Sequence, residues 1–220
     1  MSTMERSQAS AARRAKLGRP SRAKALKRRE ELLDQALDLF LERGYELTTI
    51  EAIAGAVGMS KRTLYAQYED KAALFRASVQ RAIDAVKVEP AALEALDSGD
   101  LATTLAAAAR TRIGQVMTAQ GLKLQRIVNA DSYRFPEVFR MAYDQITGPA
   151  VEFVSRVLQR HAAAGDIVIT RPEMAATAFM SLVASAPIRV LSSGLRLEPA
   201  EIDDRIAFTV SLFLDGVRPR

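Results

Sequence analysis

The sequence predicts an all-α protein in which a small N-terminal helical module precedes a larger helical bundle. Apolar residues recur at spacings of three and four through most of the chain, the period of a one-sided helix. Glycines and prolines stand where those stripes stop and start, with Pro at first turns and Gly just past last ones. The one strand-like run, Ile167-Val168-Ile169-Thr170, is short and has no partner run, so it reads as a connector.

Taken in order, Leu33, Ala36, Leu37, Phe40 and Leu41 form the stripe of a first helix that Gly44 ends. A second begins at Thr48 or Thr49, where Thr48 and Glu51 have capping-box spacing, and runs through Ile53 and Val57 to Gly58. Ser60 opens a short third helix ending near Gln67, and Asp70 precedes a fourth whose stripe is Leu74, Phe75, Val79, Ala82, Ile83 and Val86. This unit ends near Pro90. Further helices are expected over Leu101–Ala119 and Leu122–Tyr133, from Pro136, from Pro149 to Gly165, over Pro172–Ser193 and over Pro199–Asp215. The chain thus divides into a basic arm (1–23), a first domain (24–88) and a helical bundle (89–220).

The charge is unevenly placed. Residues 1–29 carry ten Lys or Arg against Glu5 alone, a net of +9, whereas the remainder carries 21 basic against 25 acidic residues, a net of −4. Such an arm suits a polyanion, either nucleic acid or an anionic membrane surface, and the same run also reads as a solvated tail. A transit peptide is a third reading, for which only Met4 and Leu17 offer bulky apolar anchors. No uncharged apolar run approaches the length of a membrane span, and no apolar segment follows the charged N-terminus as a secretory signal would require, so a cytoplasmic protein is expected. Without cysteine there is no disulfide framework and no thiolate zinc site, and the lone His161 has no His or Cys partner for a metal. Near a helix C-terminus it reads as structural. Neither a phosphate loop, a dinucleotide glycine fingerprint nor a nucleophile elbow is present, so no cofactor is expected and an enzyme is the weaker class.

The informative stretch is Gly44 to Phe75, where two short helices flank a tight turn at Gly58, the layout of a helix-turn-helix. Advancing ~100° per residue puts Lys61, Arg62, Tyr65 and Ala66 on one arc and turns Leu64 the other way, towards Ile53 and Val57. One face packs while the other can read. Lys and Arg suit phosphate and guanine, the hydroxyls of Ser60 and Thr63 suit phosphate, and Tyr65 offers both a hydrogen bond and contact to a thymine methyl.

This segment resembles the N-terminal domain of the tetracycline-repressor family (TetR/AcrR regulators). The resemblance lies in Gly44-Tyr45, Thr48-Thr49, Ile53-Ala54, Val57-Gly58-Met59-Ser60-Lys61, Leu64-Tyr65, Gln67-Tyr68, Lys71 and Leu74-Phe75. It implies that Thr49, Ser60, Lys61, Arg62, Thr63, Tyr65, Gln67 and Lys71 face double-stranded operator DNA, with Lys71 on phosphate. Gln67 replaces the family's frequent His, and Arg62 replaces its common small residue. Leu17-Gly18-Arg19-Pro20 is similar to an arm found in part of the family, which would lay Arg19 in a narrow minor groove.

The rest of the chain resembles the AefR-like sensor domain of the same family, through Leu124-Gln125-Arg126-Ile127-Val128, Arg134-Phe135-Pro136-Glu137, Gly148-Pro149, Gly165-Asp166-Ile167 and Ala175-Ala176 before Phe179. Its large soft side chains, Met117, Phe135, Phe139, Met141, Tyr143, Phe153 and Phe179, read one by one as core and as a set suit an apolar cavity for a small apolar effector. The resemblance further implies a homodimer formed through the last two helices. The expected protein is a ligand-responsive dimeric repressor, and the competing reading is a nonspecific nucleic-acid or anionic-surface binder driven by the basic arm.

Overall fold

The structure is a computed structural model and describes residues 22–219; Arg19 and the rest of the basic arm up to residue 21 lie outside the described residues. Among the described residues eleven α-helices follow one another: α1 (Arg22–Leu47), α2 (Ile50–Ala56), α3 (Lys61–Tyr65), α4 (Lys71–Val86), α5 (Pro90–Glu94), α6 (Leu101–Met117), α7 (Ala119–Asp131), α8 (Pro136–Ala142), α9 (Gly148–Ala164), α10 (Pro172–Ser192) and α11 (Pro199–Val217). A π-helical turn, Tyr143–Thr147, joins α8 to α9 without a break. Among the described residues there is no strand, in keeping with the all-α expectation.

Local chemistry sets the first elements. Helical geometry fails in α1 at Gly44, whose φ of 77° is left-handed and strains any residue with a Cβ. The chain then turns into α2. The capping-box expectation for Thr48 needs correction, because Thr49 is the N-cap and accepts from Ala52 N at 3.1 Å, while Thr48 is buried and donates to Leu39 O (3.0 Å) and Gly44 O (2.8 Å). Spacing alone does not separate adjacent threonines; burial does. Ser60 and Asp70 cap α3 and α4 as expected, accepting from Thr63 N and Ala73 N.

The bundle shows two departures from expectation. Pro90 opens a further short helix, α5, and α7 starts at Ala119 rather than Leu122, because Thr118 both donates to Gln115 O (2.8 Å) and accepts from Gly121 N (2.9 Å). That corner needs a glycine: a Cβ on Gly121 would lie 1.9 Å from Gln115 O. The expected connector at 167–170 is one, tied to the end of α11 by a single bond from Val168 N to Val217 O. His161 is buried, with Nδ1 2.7 Å from Asp166 Oδ2. Arg160 bridges to Asp97 and holds that carboxyl down at about 2.

Two apolar cores result. One lies inside the bundle, built from Leu105, Ile113, Phe153, Leu158, Phe179 and Ile206 among others. The other joins Leu37, Phe40, Ile53, Leu64, Phe75 and Ile83 of the first four helices, and it is completed by Leu124 and Ile127 of α7, Val138 of α8 and Ile146 of the π turn. The head therefore does not close on itself at residue 88.

Helix α10 is long and apolar enough to cross a membrane by length and composition, yet Ala176, Phe179, Met180 and Val183 on it pack into the bundle core. One face of its apolar surface is therefore core.

The buried hydroxyl of Thr48 gives a direct test. Thr48→Val keeps the shape and leaves two carbonyls near the head core without their donor, so denaturant unfolding should show a loss of roughly 1–3 kcal/mol. Thr49→Ala, at an exposed cap, should lose only about 1 kcal/mol.

Candidate nucleic-acid interface and sensor cavity

Helix α3 stands on one residue. Leu64 is 1% exposed and belongs to the head core, while Lys61, Arg62, Thr63, Tyr65 and Gln67 around it are all exposed. Gly58, at φ 61°, makes the turn that brings α3 across α2, and Met59 N bonds back to Ala54 O at 2.9 Å. The arc predicted from helical angles is thus on the outside of the folded head.

The side chains on that arc differ in how far they are committed. Thr49 and Ser60 spend their oxygens on helix caps, and Ser60 Oγ also lies 2.8 Å from Thr63 Oγ1. Lys61 pairs with Glu51 across the turn; their contact draws the Glu51 carboxyl below its ordinary value and raises the Lys61 ammonium above its own. Gln67 Nε2 reaches back to Thr63 O at 3.4 Å. Arg62 and Tyr65 have no side-chain hydrogen bond or ion pair among the described residues, although Lys61 lies 5.7 Å above the Tyr65 ring. Both are available to an incoming base edge.

Lys71 has partners within the head as well. Its Nζ donates to Tyr45 O (2.8 Å) and Glu46 O (3.2 Å) and sits 4.3 Å from the centre of the Tyr45 ring. An ammonium has three donors, so one remains for a phosphate while two brace the end of α1. Tyr45 in turn joins Phe40, Phe75 and Phe135 in a cluster of rings with centroids 4.6–5.7 Å apart. Arg134 lies over Tyr45 and Phe135 and pairs with Glu46.

That cluster changes the place of Phe135, which packs on the head rather than in the bundle. Of the seven large side chains expected to suit a cavity, Phe139 and Tyr143 line one of appreciable size in the bundle; their rings stack with centroids 6.0 Å apart. Phe153 and Phe179 are buried core, Met117 is exposed at the end of α6, and Met141 packs on the head core. Large soft side chains fill cores wherever the helices meet, so their type does not say which space they border.

The bundle cavity has two compartments. The larger, about 400 Å³, is bordered by Arg112, Gln125, Asn129, Tyr143, Thr147, Val151 and the α10 residues Thr177, Met180, Ser181 and Ser185. The smaller, about 120 Å³, shares Arg112, Gln125, Tyr143 and Thr147 and extends towards Val86 and Phe139. Arg112, Gln125 and Asn129 were absent from the sequence expectation. Arg112 left a signal there: it stands on the buried stripe of α6 with Leu105, Ala109, Ile113 and Val116, where a charge is costly.

Comparison with known proteins decides the family. Residues 32–78 match the domain described as bacterial regulatory proteins, tetR family, and residues 103–216, more than half the chain, match the AefR-like transcriptional repressor C-terminal domain. This chain belongs to the TetR family of transcriptional regulators. The head is 43% identical over 56 residues to the HTH-type transcriptional repressor ComR of Escherichia coli, a match that takes in 26% of this chain and only 27% of that repressor. A TetR-family regulator from Mesorhizobium loti has the same fold, with a TM-score of 0.69, 24% identity, and coverage of 89% of this chain and 99% of that one. The flavonoid-responsive regulator FrrA is similar at a TM-score of 0.65 and 28% identity, over 88% of this chain and 99% of that one.

For this TetR-family head, Lys71 serves to separate bracing from phosphate contact. Lys71→Ala should reduce the salt dependence of binding to any DNA by roughly one unit of slope. It should also lower folding stability by roughly 1–2 kcal/mol, because two carbonyls lose their donor. Weaker binding with an unchanged thermal midpoint would show that the brace contributes nothing.

Proposed function

We propose that this regulator is a homodimeric repressor that sits on a double-stranded operator and leaves it when a small molecule fills the bundle cavity. The exposed arc of α3 carries the reading: a short helix is anchored by Leu64, and it presents the uncommitted Arg62 and Tyr65 beside Ser60, Lys61 and Thr63. Arg62 suits guanine O6 and N7, Tyr65 suits a thymine methyl or a phosphate, and Lys61, Thr63, Thr49, Gln67 and Lys71 suit the backbone. Arg19 would follow an adjacent minor groove. A regulator of this kind works in the cytoplasm.

Dimerisation is supported by apolar side chains that the single chain leaves exposed on the last two helices, Met174 and Leu182 on α10 and Phe208 and Leu212 on α11. Pairing these faces between two copies would bury them and bring two heads to bear on half-sites about one DNA turn apart, roughly 34–36 Å. Release by a ligand is supported by the position of α7 and the π turn. Leu124, Ile127 and Ile146 pack in the head core, while Gln125, Asn129, Tyr143 and Thr147 on the same segments border the cavity. An occupant that moves these walls moves the head. FrrA, of the same fold, is named for its response to flavonoids.

Selection of DNA fragments by the purified protein should yield one operator, on which Arg62→Ala and Tyr65→Ala each weaken binding by roughly 1–3 kcal/mol and weaken random DNA much less. Equal losses on both, with folding intact, would favour the nonspecific binder instead. In light scattering the chain should be a dimer at micromolar concentration. Leu212→Glu should render it monomeric without unfolding it, since Leu212 is exposed in the single chain.

A further inference from the structure

Several arginines elsewhere in the bundle are supplied with acids. Arg110 meets Asp203 at 2.9 Å, Arg156 pairs with Glu94 and Glu152, and Arg160 pairs with Asp97. Arg112, two residues from Arg110 and on the buried stripe of α6, has no hydrogen-bond acceptor and no carboxylate within reach among the described residues. Burial alone acts on it, drawing its pKa below the ordinary value, and a guanidinium in a protein stays charged nonetheless. The fold thus holds a partly dehydrated cation with its donors uncommitted.

That cation borders both compartments of the cavity, and no Asp or Glu borders either one. Arg189 adds a second positive charge at the edge of the larger compartment. Across from Arg112, the hydroxyls of Thr177, Ser181 and Ser185 each donate to the carbonyl four residues back on α10, at 3.0, 2.8 and 2.7 Å. Their protons are spent, so these oxygens meet a ligand only as acceptors. Tyr143 borders both compartments and supplies a flat apolar wall.

We propose that the cavity takes a small hydroxylated aromatic carboxylic acid, with its carboxylate on Arg112, its ring against Tyr143 and its hydroxyl donating to the α10 hydroxyl row. The proposal deepens the sensor reading given above and rests on it. Arg and carboxylate match as a planar, bidentate pair, stronger than a hydrogen bond between neutral groups. A volume of about 400 Å³ accommodates one or two fused rings. An uncharged molecule of the same shape would leave the guanidinium unpaired and so bind more weakly.

The test is calorimetric titration of the full chain with 6-hydroxy-2-naphthoate and its uncharged amide, 6-hydroxy-2-naphthamide, in salt high enough to screen the basic head. The acid should bind once per chain and at least tenfold more tightly than the amide. Arg112→Met should bring the acid down to the level of the amide, while the unliganded variant melts no lower than the parent because it loses a charge that had no partner. If Arg112→Met does not fold, Ser181→Trp, which fills the cavity from an exposed position on α10, takes its place and should abolish binding of the acid. Equal affinities for acid and amide, no binding of the acid at millimolar concentration, or undiminished binding of the acid to either variant would overturn the proposal. The sensor reading fails separately: Arg112-dependent binding that leaves operator affinity unchanged keeps the anion site and removes its regulatory role. Release of operator by the amide as readily as by the acid keeps the sensor and removes the anion site.

Discussion

Helix α7 is shared between two cores, and the arrangement of the molecule follows from that sharing. Leu124 and Ile127 complete the apolar interior of the head, and Leu122 packs against the bundle interior one turn away. The head core is not closed without this helix, and the bundle core has Leu122 packed against it. A displacement of α7 within the bundle therefore cannot leave the head where it was, since close-packed interiors resist voids and overlap alike. The corner at Gly121 holds the start of α7 against the end of α6, so the cavity wall formed by Arg112 and Gln115 is rigidly registered to it.

A ring of polar contacts around the same junction sets its direction rather than its strength. Gln80 and Gln145 exchange amide bonds at 2.8 and 2.9 Å between α4 and the π turn, Gln115 donates to Val86 O at the end of α4, and Lys123 pairs with Asp38. Pairs of this kind, partly open to water, are worth about 0–1 kcal/mol each. The rings of Phe40, Tyr45, Phe75 and Phe135 add apolar burial at the outer end of the junction. A ligand has to alter the balance at this surface by only about 1–3 kcal/mol to act as a switch, and it does so only if it binds the two arrangements unequally. The π turn joins the two regions, because its Tyr143 and Thr147 border the cavity while its Ile146 is in the head core.

The head surface has its own internal restraint. Glu51 holds Lys61 across the turn of the helix-turn-helix, and Ser60 holds Thr63, so most of the polar groups on that face are engaged before any DNA arrives. Arg62 and Tyr65 stand apart from this network. The division sorts the face into side chains already held by the protein and side chains left open.

The sequence by itself determined most of the helices, the caps at Ser60 and Asp70 and the exposed arc of α3, because each depends on neighbours a few residues apart. The helical period turned Leu64 inwards and Lys61, Arg62 and Tyr65 outwards, and Ser60 and Asp70 were legible as caps. Where two adjacent residues competed for a role, as Thr48 and Thr49 did, local pattern did not decide; the carbonyls of Leu39 and Gly44 that hold the buried Thr48 hydroxyl did. Tertiary structure alone decided which apolar residues border the cavity, since Phe135, Phe153 and Phe179 are alike in type and part company only through the elements they meet. It also decided that Arg112 has no acid beside it while Arg110 has Asp203, a partner 93 residues away that no reading of neighbouring residues can supply.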